Sequence, residues 1–163
     1  IQILNYGLLD TTTNVVKMLR YLMKAKNPYD VIQENTRTKT FLERYKEIDS
    51  RVKKIVEKAE SNISDNKEKL LFFTYGGDMS LSQYVSNELA YKHPDKIIVV
   101  GYMNGNYINF SLRGPLNVRE LTLKAIENIE GAQGGGHEHA TGAKITADNL
   151  QIFKENLIEQ LKD

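Results

Sequence analysis

Between Glu130 and Ile145 the chain reads EGAQGGGHEHATGAKI, its densest concentration of chemistry. Gly134, Gly135 and Gly136 lead into His137, Glu138 and His139, and the small residues Ala140, Thr141, Gly142 and Ala143 follow. Glycines let backbone N–H groups turn inward and approach an anion closely. His137 adds a donor, and a cation once protonated. Phosphate is therefore one ligand for this run. A metal is a second, because His-x-His on an extended strand points both rings to one face. A plain turn is the third, since glycine is common after a helix.

Other chemistries are poorly supplied. The histidines are His93, His137 and His139, and His93 beside Pro94 reads as a surface turn residue. A dinuclear centre needs several converging Asp and His ligands. The sequence lacks cysteine, which excludes disulfides and thiolate sites and makes a cytoplasmic home the expectation. Ser80, Ser82 and Ser111 sit in no nucleophile motif. No apolar run approaches the roughly 20 residues that span a bilayer, and no signal peptide is apparent. The chain opens on Ile1 rather than methionine, as expected of a piece of something longer.

The elements that must position the glycine run fall into two parts. Residues 1–69 read as a helical connector and residues 70–163 as a separate domain, with the polar stretch Ser61 to Lys69 between them. In the first part a helix is expected from Thr11 to Lys26, stopped by Asn27-Pro28. Phe41, Tyr45, Ile48, Val52, Ile55 and Ala59 then alternate steps of four and three, a two-position heptad seam.

In the second part LLFFTY, Leu70 to Tyr75, is a buried strand, broken by Gly76-Gly77. Ser80 is expected to cap a helix with Leu81, Tyr84, Val85 and Leu89 on its apolar face. KIIVVGYM follows as a strand, and Asn104-Gly105 signals a hairpin. In the return strand Ile108, Phe110 and Leu112 face one side, while Asn109, Ser111 and Arg113 face the other. Asn117 caps a further helix, with Glu120 as the reciprocal member of a capping box. After the glycine loop GAKIT forms a last strand, and Asp148 caps a final helix packing through Leu150, Phe153, Leu157 and Leu161. The order β-α-β-β-α-β-α predicts an α/β (α+β) fold, a mixed sheet flanked by helices and preceded by the helical connector.

Charge is local rather than global. The net charge is +1, and residues 1–69 carry 14 Lys and Arg against 10 Asp and Glu, residues 70–163 only 8 against 11. Arg37, Arg44, Arg51 and Lys58 recur every seven residues on one flank of the seam. They form either a solvated cationic edge or a positive track beside a nucleic-acid channel. Arg113, at the end of its strand, suits bidentate contact with phosphate.

GGGHEHATGA, preceded by SLRG some twenty residues upstream with a helix between, resembles the DHH-associated domain. That domain is the C-terminal substrate-binding module of DHH phosphoesterases, and the motif is most like archaeal RecJ-like single-strand exonucleases. The resemblance implies that Arg113, Gly134, Gly135, Gly136 and His137 contact substrate phosphate, with His139 a secondary candidate. It implies single-stranded DNA or RNA as partner, replication proteins as further partners, and no membrane. Catalysis would belong to another lobe holding Mn2+ or Mg2+, with no cofactor in this part. Alanyl-tRNA synthetases carry a related domain alongside a cysteine-bearing zinc region, which this chain lacks. The alternative is a protein-interaction module of a catalytically inactive, replication-associated relative, docking a partner helix on the seam.

Overall fold

A computed structural model describes residues 2–62 and 69–162, so most of the expected boundary, 63–68, lies outside the described residues. The chain divides into two compact units, Ile1–Lys54 and Ile55–Asp163. No helix among the described residues is long and apolar enough to cross a membrane.

In the first unit the helices are α1 (Gln2–Gly7), α2 (Thr12–Leu22), α3 (Pro28–Ile32) and the start of α4 (Lys39–Ser61). Thr11 caps α2 by accepting from the Asn14 N–H. α2 ends at Leu22, short of the expected Lys26, and Asn27-Pro28 begins α3. Asn27 and Asp30 form a reciprocal capping box and Pro28 occupies the first turn, where its missing N–H costs nothing. Met18, Phe41 and Leu42 form the buried centre, with Ile3, Leu4, Tyr21, Leu22 and Val31 packed against it. Along α4 the expected seam is present. Phe41, Ile48, Val52 and Ala59 are buried and Tyr45 and Ile55 half-buried. Leu42 and Val56 are buried beside them, so the stripe is wider than two positions.

The second unit is a mixed sheet. Its strands are β1 (Leu70–Gly76), β2 (Ile97–Asn104), β3 (Tyr107–Arg113), β4 (Gln133–His137) and β5 (Ala140–Thr146), in the order β1-β2-β3-β5-β4. β1 and β2 are parallel and joined by α5 (Ser82–Lys92), as a parallel pair requires a crossover. The remaining pairs are antiparallel. Helices α6 (Val118–Ile126) and α7 (Leu150–Glu159), the latter preceded by a short turn at Ala147–Asn149, complete the unit. β2 is buried from Ile97 to Tyr102, which explains its unbroken apolar run.

Period-two alternation sorts the two faces. Ile108, Phe110 and Leu112 of β3 join Val118, Ala125, Phe153 and Leu157 in one core on the α6–α7 side. The rings of Phe110 and Phe153 lie 4.7 Å apart, with Phe72 5.7 Å from Phe110. Burying one such ring is worth about 1.5–3 kcal/mol. α5 covers β2 and β3 on the opposite face.

Three local expectations are corrected by tertiary contacts. Ser80 does not cap α5. The cap position is Leu81, which has no side-chain cap bond, and its N–H is accepted instead by the buried Tyr75 hydroxyl. Burial pushes that phenol up to about 12, so it stays neutral. Asp148 does not cap α7 but lies inside the turn Ala147–Asn149. The β2–β3 hairpin turns at Gly105-Asn106, one residue later than the Asn-Gly signal, because Asn104 pairs with Tyr107. Gly105 supplies the positive φ of +57° at the first central position, as a type II′ turn demands.

These contacts make two stability predictions. Tyr75→Phe leaves the Leu81 N–H without its acceptor and costs about 1–3 kcal/mol in urea unfolding. Glu60, in the last turn of α4, bonds Lys92 at 2.9 Å and His93 at 3.1 Å. The Lys92 bond, above all, holds the Glu60 carboxyl below its ordinary 4.5, against a smaller desolvation by burial. A depressed carboxyl stabilises the fold above its unfolded pKa, and the gain disappears as pH falls through the lower folded value. Glu60→Gln therefore loses about 0.5–1 kcal/mol at neutral pH, and the difference from the parent closes below pH 4.5.

Candidate phosphate-binding face

The glycine run is not a loop. Gln133 to His137 form β4, paired antiparallel with β5 and lying at the open edge of the sheet. Glycine is a poor strand former in isolation, and here the pairing with β5 overrides that preference. All five β4 residues are exposed. In an antiparallel ladder alternate residues turn their N–H groups away from the partner strand, so an edge strand offers them outward.

The register decides which residues share a face. Leu112 pairs with Thr141 and Phe110 with Ala143, while Gly136 opposes Thr141 and Gly134 opposes Ala143. These residues belong to the α6 side. Thr141 is buried there, its hydroxyl 2.8 Å from that of Thr122 on α6. Arg113, Ser111 and Asn109 pair with Ala140, Gly142 and Lys144, which in turn oppose His137, Gly135 and Gln133. All of these lie on the other face, the β3 residues beside α5, where Ser111 Oγ is 3.4 Å from Ser82 Oγ, and the β4 and β5 residues farther along the sheet. Gly135, Ala140 and Gly142 make a floor with almost no side chain, bordered by Arg113, Ser111, His137 and Lys144.

Each glycine has its own physical reason. At Gly136 φ is +146°, and an added Cβ would lie 2.7 Å from the Ala140 carbonyl oxygen and 2.9 Å from Thr141 Cα. At Gly134 it would lie 2.8 Å from Ile126 Cδ1. Gly135, with φ of +157°, has open space over its Cα and is needed for conformation rather than fit.

Arg113 is half-buried and held on three sides. Its Nε donates to Asn87 Oδ1 on α5 at 2.7 Å, and Nη1 donates to the carbonyls of Leu112 at 2.8 Å and Thr141 at 3.4 Å. Nη2 makes no hydrogen bond among the described residues and is not sealed from solvent. Burial pulls the Arg113 pKa below its ordinary value, yet arginine remains charged at neutral pH. The outcome is a pre-oriented cation with one donor nitrogen unused. Arg113 also lines an open pocket of about 410 Å3 with Lys96, Pro94, Pro115 and His139. His139 Nδ1 lies 3.2 and 3.3 Å from the carbonyls of Gly114 and Leu116. Carbonyls only accept, so Nδ1 carries the proton and Nε2 remains for other contacts. His139 lies in the turn after β4 rather than on the strand with His137, and among the described residues no group of three or more His, Cys, Asp or Glu could hold a metal ion. The residues present therefore do not fit a Mn2+ or Mg2+ centre.

The cationic row on α4 is differently placed. Arg37 lies in the turn ahead of the helix. Arg44 reaches Glu47 at 2.7 Å and the Leu9 carbonyl at 2.9 Å, and Arg51 reaches the same Glu47 at 2.9 Å. Lys58 is exposed. The two central members thus have structural work within the first unit. Conversely, the face includes residues that the sequence did not single out. Asn87 fixes Arg113, and Lys144 sits 4.3 Å over the Tyr107 ring on the same face. Lys144 and Tyr107 are brought there by the β3–β5 register and Asn87 by the packing of α5, neither of which a local pattern reveals.

Gly136→Ala should destabilise the β4–β5 hairpin by about 1–3 kcal/mol, from the positive φ and the backbone contact together. Faster amide exchange confined to residues 133–146 is the readout.

Comparison with known proteins agrees with this architecture. The DHHA1 domain matches residues 67–163. No curated protein matches the sequence significantly. A pGpG-specific phosphodiesterase of Vibrio cholerae superposes with a TM-score of 0.66 at 16% identity, covering 97% of this chain and 55% of its own. RecJ of Thermus thermophilus, solved with Mn2+, gives 0.63 at 12% identity, covering 98% of this chain. The same RecJ with Mg2+ gives 0.61 at 14% identity over 91%. The chain spans only 23% of those RecJ chains. At such identities the likeness is one of fold, while the domain match extends over more than half of the sequence. The chain belongs to the DHHA1 domain family.

Proposed function

We propose that this chain is the substrate-holding part of a RecJ-like DHH phosphoesterase, gripping single-stranded DNA or RNA by its phosphates. One observation carries the reading. The register sets the restrained Arg113 guanidinium beside a floor of Gly135, Ala140 and Gly142, with His137 at the rim. A bulky floor would hold a phosphodiester away from the backbone, whereas this one admits it to edge N–H groups. From Arg113 to Tyr107 the face runs six residues along β3, roughly 20 Å, enough for a few nucleotides. Tyr107 and Lys144 at its far end supply a ring for base stacking and a second cation. Hydrolysis is assigned to a lobe outside this chain, where Mn2+ or Mg2+ would serve.

The likeness to a pGpG-specific phosphodiesterase supports a second reading with the same contacts, in which a dinucleotide rather than a strand occupies the face. The two differ in length dependence. A strand holder binds longer oligonucleotides more tightly, and a dinucleotide holder does not.

Fluorescence anisotropy with labelled single-stranded DNA and RNA at two salt concentrations tests the proposal. Arg113→Ala should weaken binding to every sequence alike and reduce the salt slope by about 0.7, the value for one phosphate on a single strand. His137→Ala should weaken binding without changing stability, because its side chain makes no hydrogen bond among the described residues. Unchanged affinity and slope in both variants would remove this face from substrate binding.

A further inference from the structure

The first unit carries its own concentration of positive charge. Lys17 and Arg20 on α2, Lys24 just past its end, and Arg37 ahead of α4 line one open pocket of about 400 Å3. All four side chains are exposed, and none makes a hydrogen bond or ion pair among the described residues. No carboxylate lines the pocket. The nearby acids are engaged elsewhere. Glu34 reaches Lys46 at 3.5 Å, Glu43 reaches Lys39 at 3.9 Å, and Asp30 caps α3.

A solvated helix face ordinarily interleaves opposite charges one turn apart. α4 does so, with Lys39–Glu43 and Lys53–Asp49. α2 contains no acid at all. Arg20 and Lys24 also offset the macrodipole at the C-terminal end of α2. Lys17, nearer the middle of the helix, and Arg37, on another element, lie outside that account. Four like charges around one concavity repel one another until an anion enters. The wall between them is firm. Tyr21 and Phe41 lie 6.0 Å apart, and the Tyr21 hydroxyl is fixed on the Asp30 carbonyl at 2.7 Å.

We propose that this pocket binds linked phosphates, supplied either by a free nucleotide polyphosphate or by successive phosphodiesters of a single strand. Its volume is within the ordinary range for a small ligand, roughly 300–1,000 Å3. A single phosphate would leave most of the four charges uncompensated, and a chain of phosphates matches them. The proposal stands on the first unit alone and does not depend on the sheet-face reading.

The test is an amide NMR titration of the full chain with sodium tripolyphosphate, then ATP, then oligothymidylate. Saturable shifts are expected at residues 14–24 and 36–41, in the parent and equally in Arg113→Ala. The triple variant Lys17→Gln/Arg20→Gln/Lys24→Gln removes exposed charges that make no hydrogen bond or ion pair among the described residues, so it should keep its fold and lose those shifts. If a strand is the source, its salt slope falls by about 2 in the triple variant. If a nucleotide is the source, ATP saturates the pocket and oligothymidylate does not. Absence of saturable shifts in these segments, or shifts unchanged in the triple variant, would overturn the proposal. Shifts at residues 109–113 and 133–144 report the sheet face independently, so the two readings fail separately.

Discussion

Phe110 packs on Phe153 with ring centroids 4.7 Å apart, and that contact fixes more than the core. It commits the even-numbered residues of β3 to the α6–α7 side, and with them the register against β5. Side chains alternate with a period of two, so a slip of one residue would turn Arg113, Ser111 and Asn109 inward and bring Phe110 and Leu112 to the surface. The penalty of exposing those buried side chains, several times about 1.5–3 kcal/mol, makes the slip untenable. The polar face is therefore held in place by the apolar face behind it.

From that register the edge strand follows. β4 has little of its own to hold it, being glycine-rich and exposed along its length. It is positioned by β5 on one side and by α6 beneath, where Gly134 approaches Ile126. Thr141 joins the two arrangements. Its hydroxyl bonds Thr122 in the core, while its carbonyl accepts from Arg113. A residue with one bond to each face is a compact way to couple the packing of α6 to the position of the guanidinium.

α5 contributes in a different manner. It covers β2 and β3 and stops short of the last two strands, so one part of the sheet is buried on both faces and the other on only one. Asn87 at its border braces Arg113, and the floor of Gly135, Ala140 and Gly142 begins just beyond. The extent of one helix thus sets how much of the sheet is left for a ligand.

The sequence by itself determined the elements whose signals are local. The apolar run of β2, the alternation of β3, the seam of α4 and the Asn117 cap, whose side chain accepts from the Glu120 N–H at 3.0 Å, can all be read from a few neighbouring residues. Even the capping box at Asn117 was legible only in half, because Glu120 pairs with Lys124 at 2.7 Å rather than reaching back. Tertiary structure decided the rest. The glycine run became a strand because β5 supplied hydrogen bonds that glycine's own preference does not favour. α5 took its cap from the Tyr75 hydroxyl on β1 rather than from Ser80. Lys144 and Tyr107 joined Arg113 on one face through strand pairing across more than thirty residues of chain. Local preference is a matter of tenths of a kcal/mol per residue, and burial of a core side chain is several times larger. Where the two disagreed, tertiary contacts prevailed.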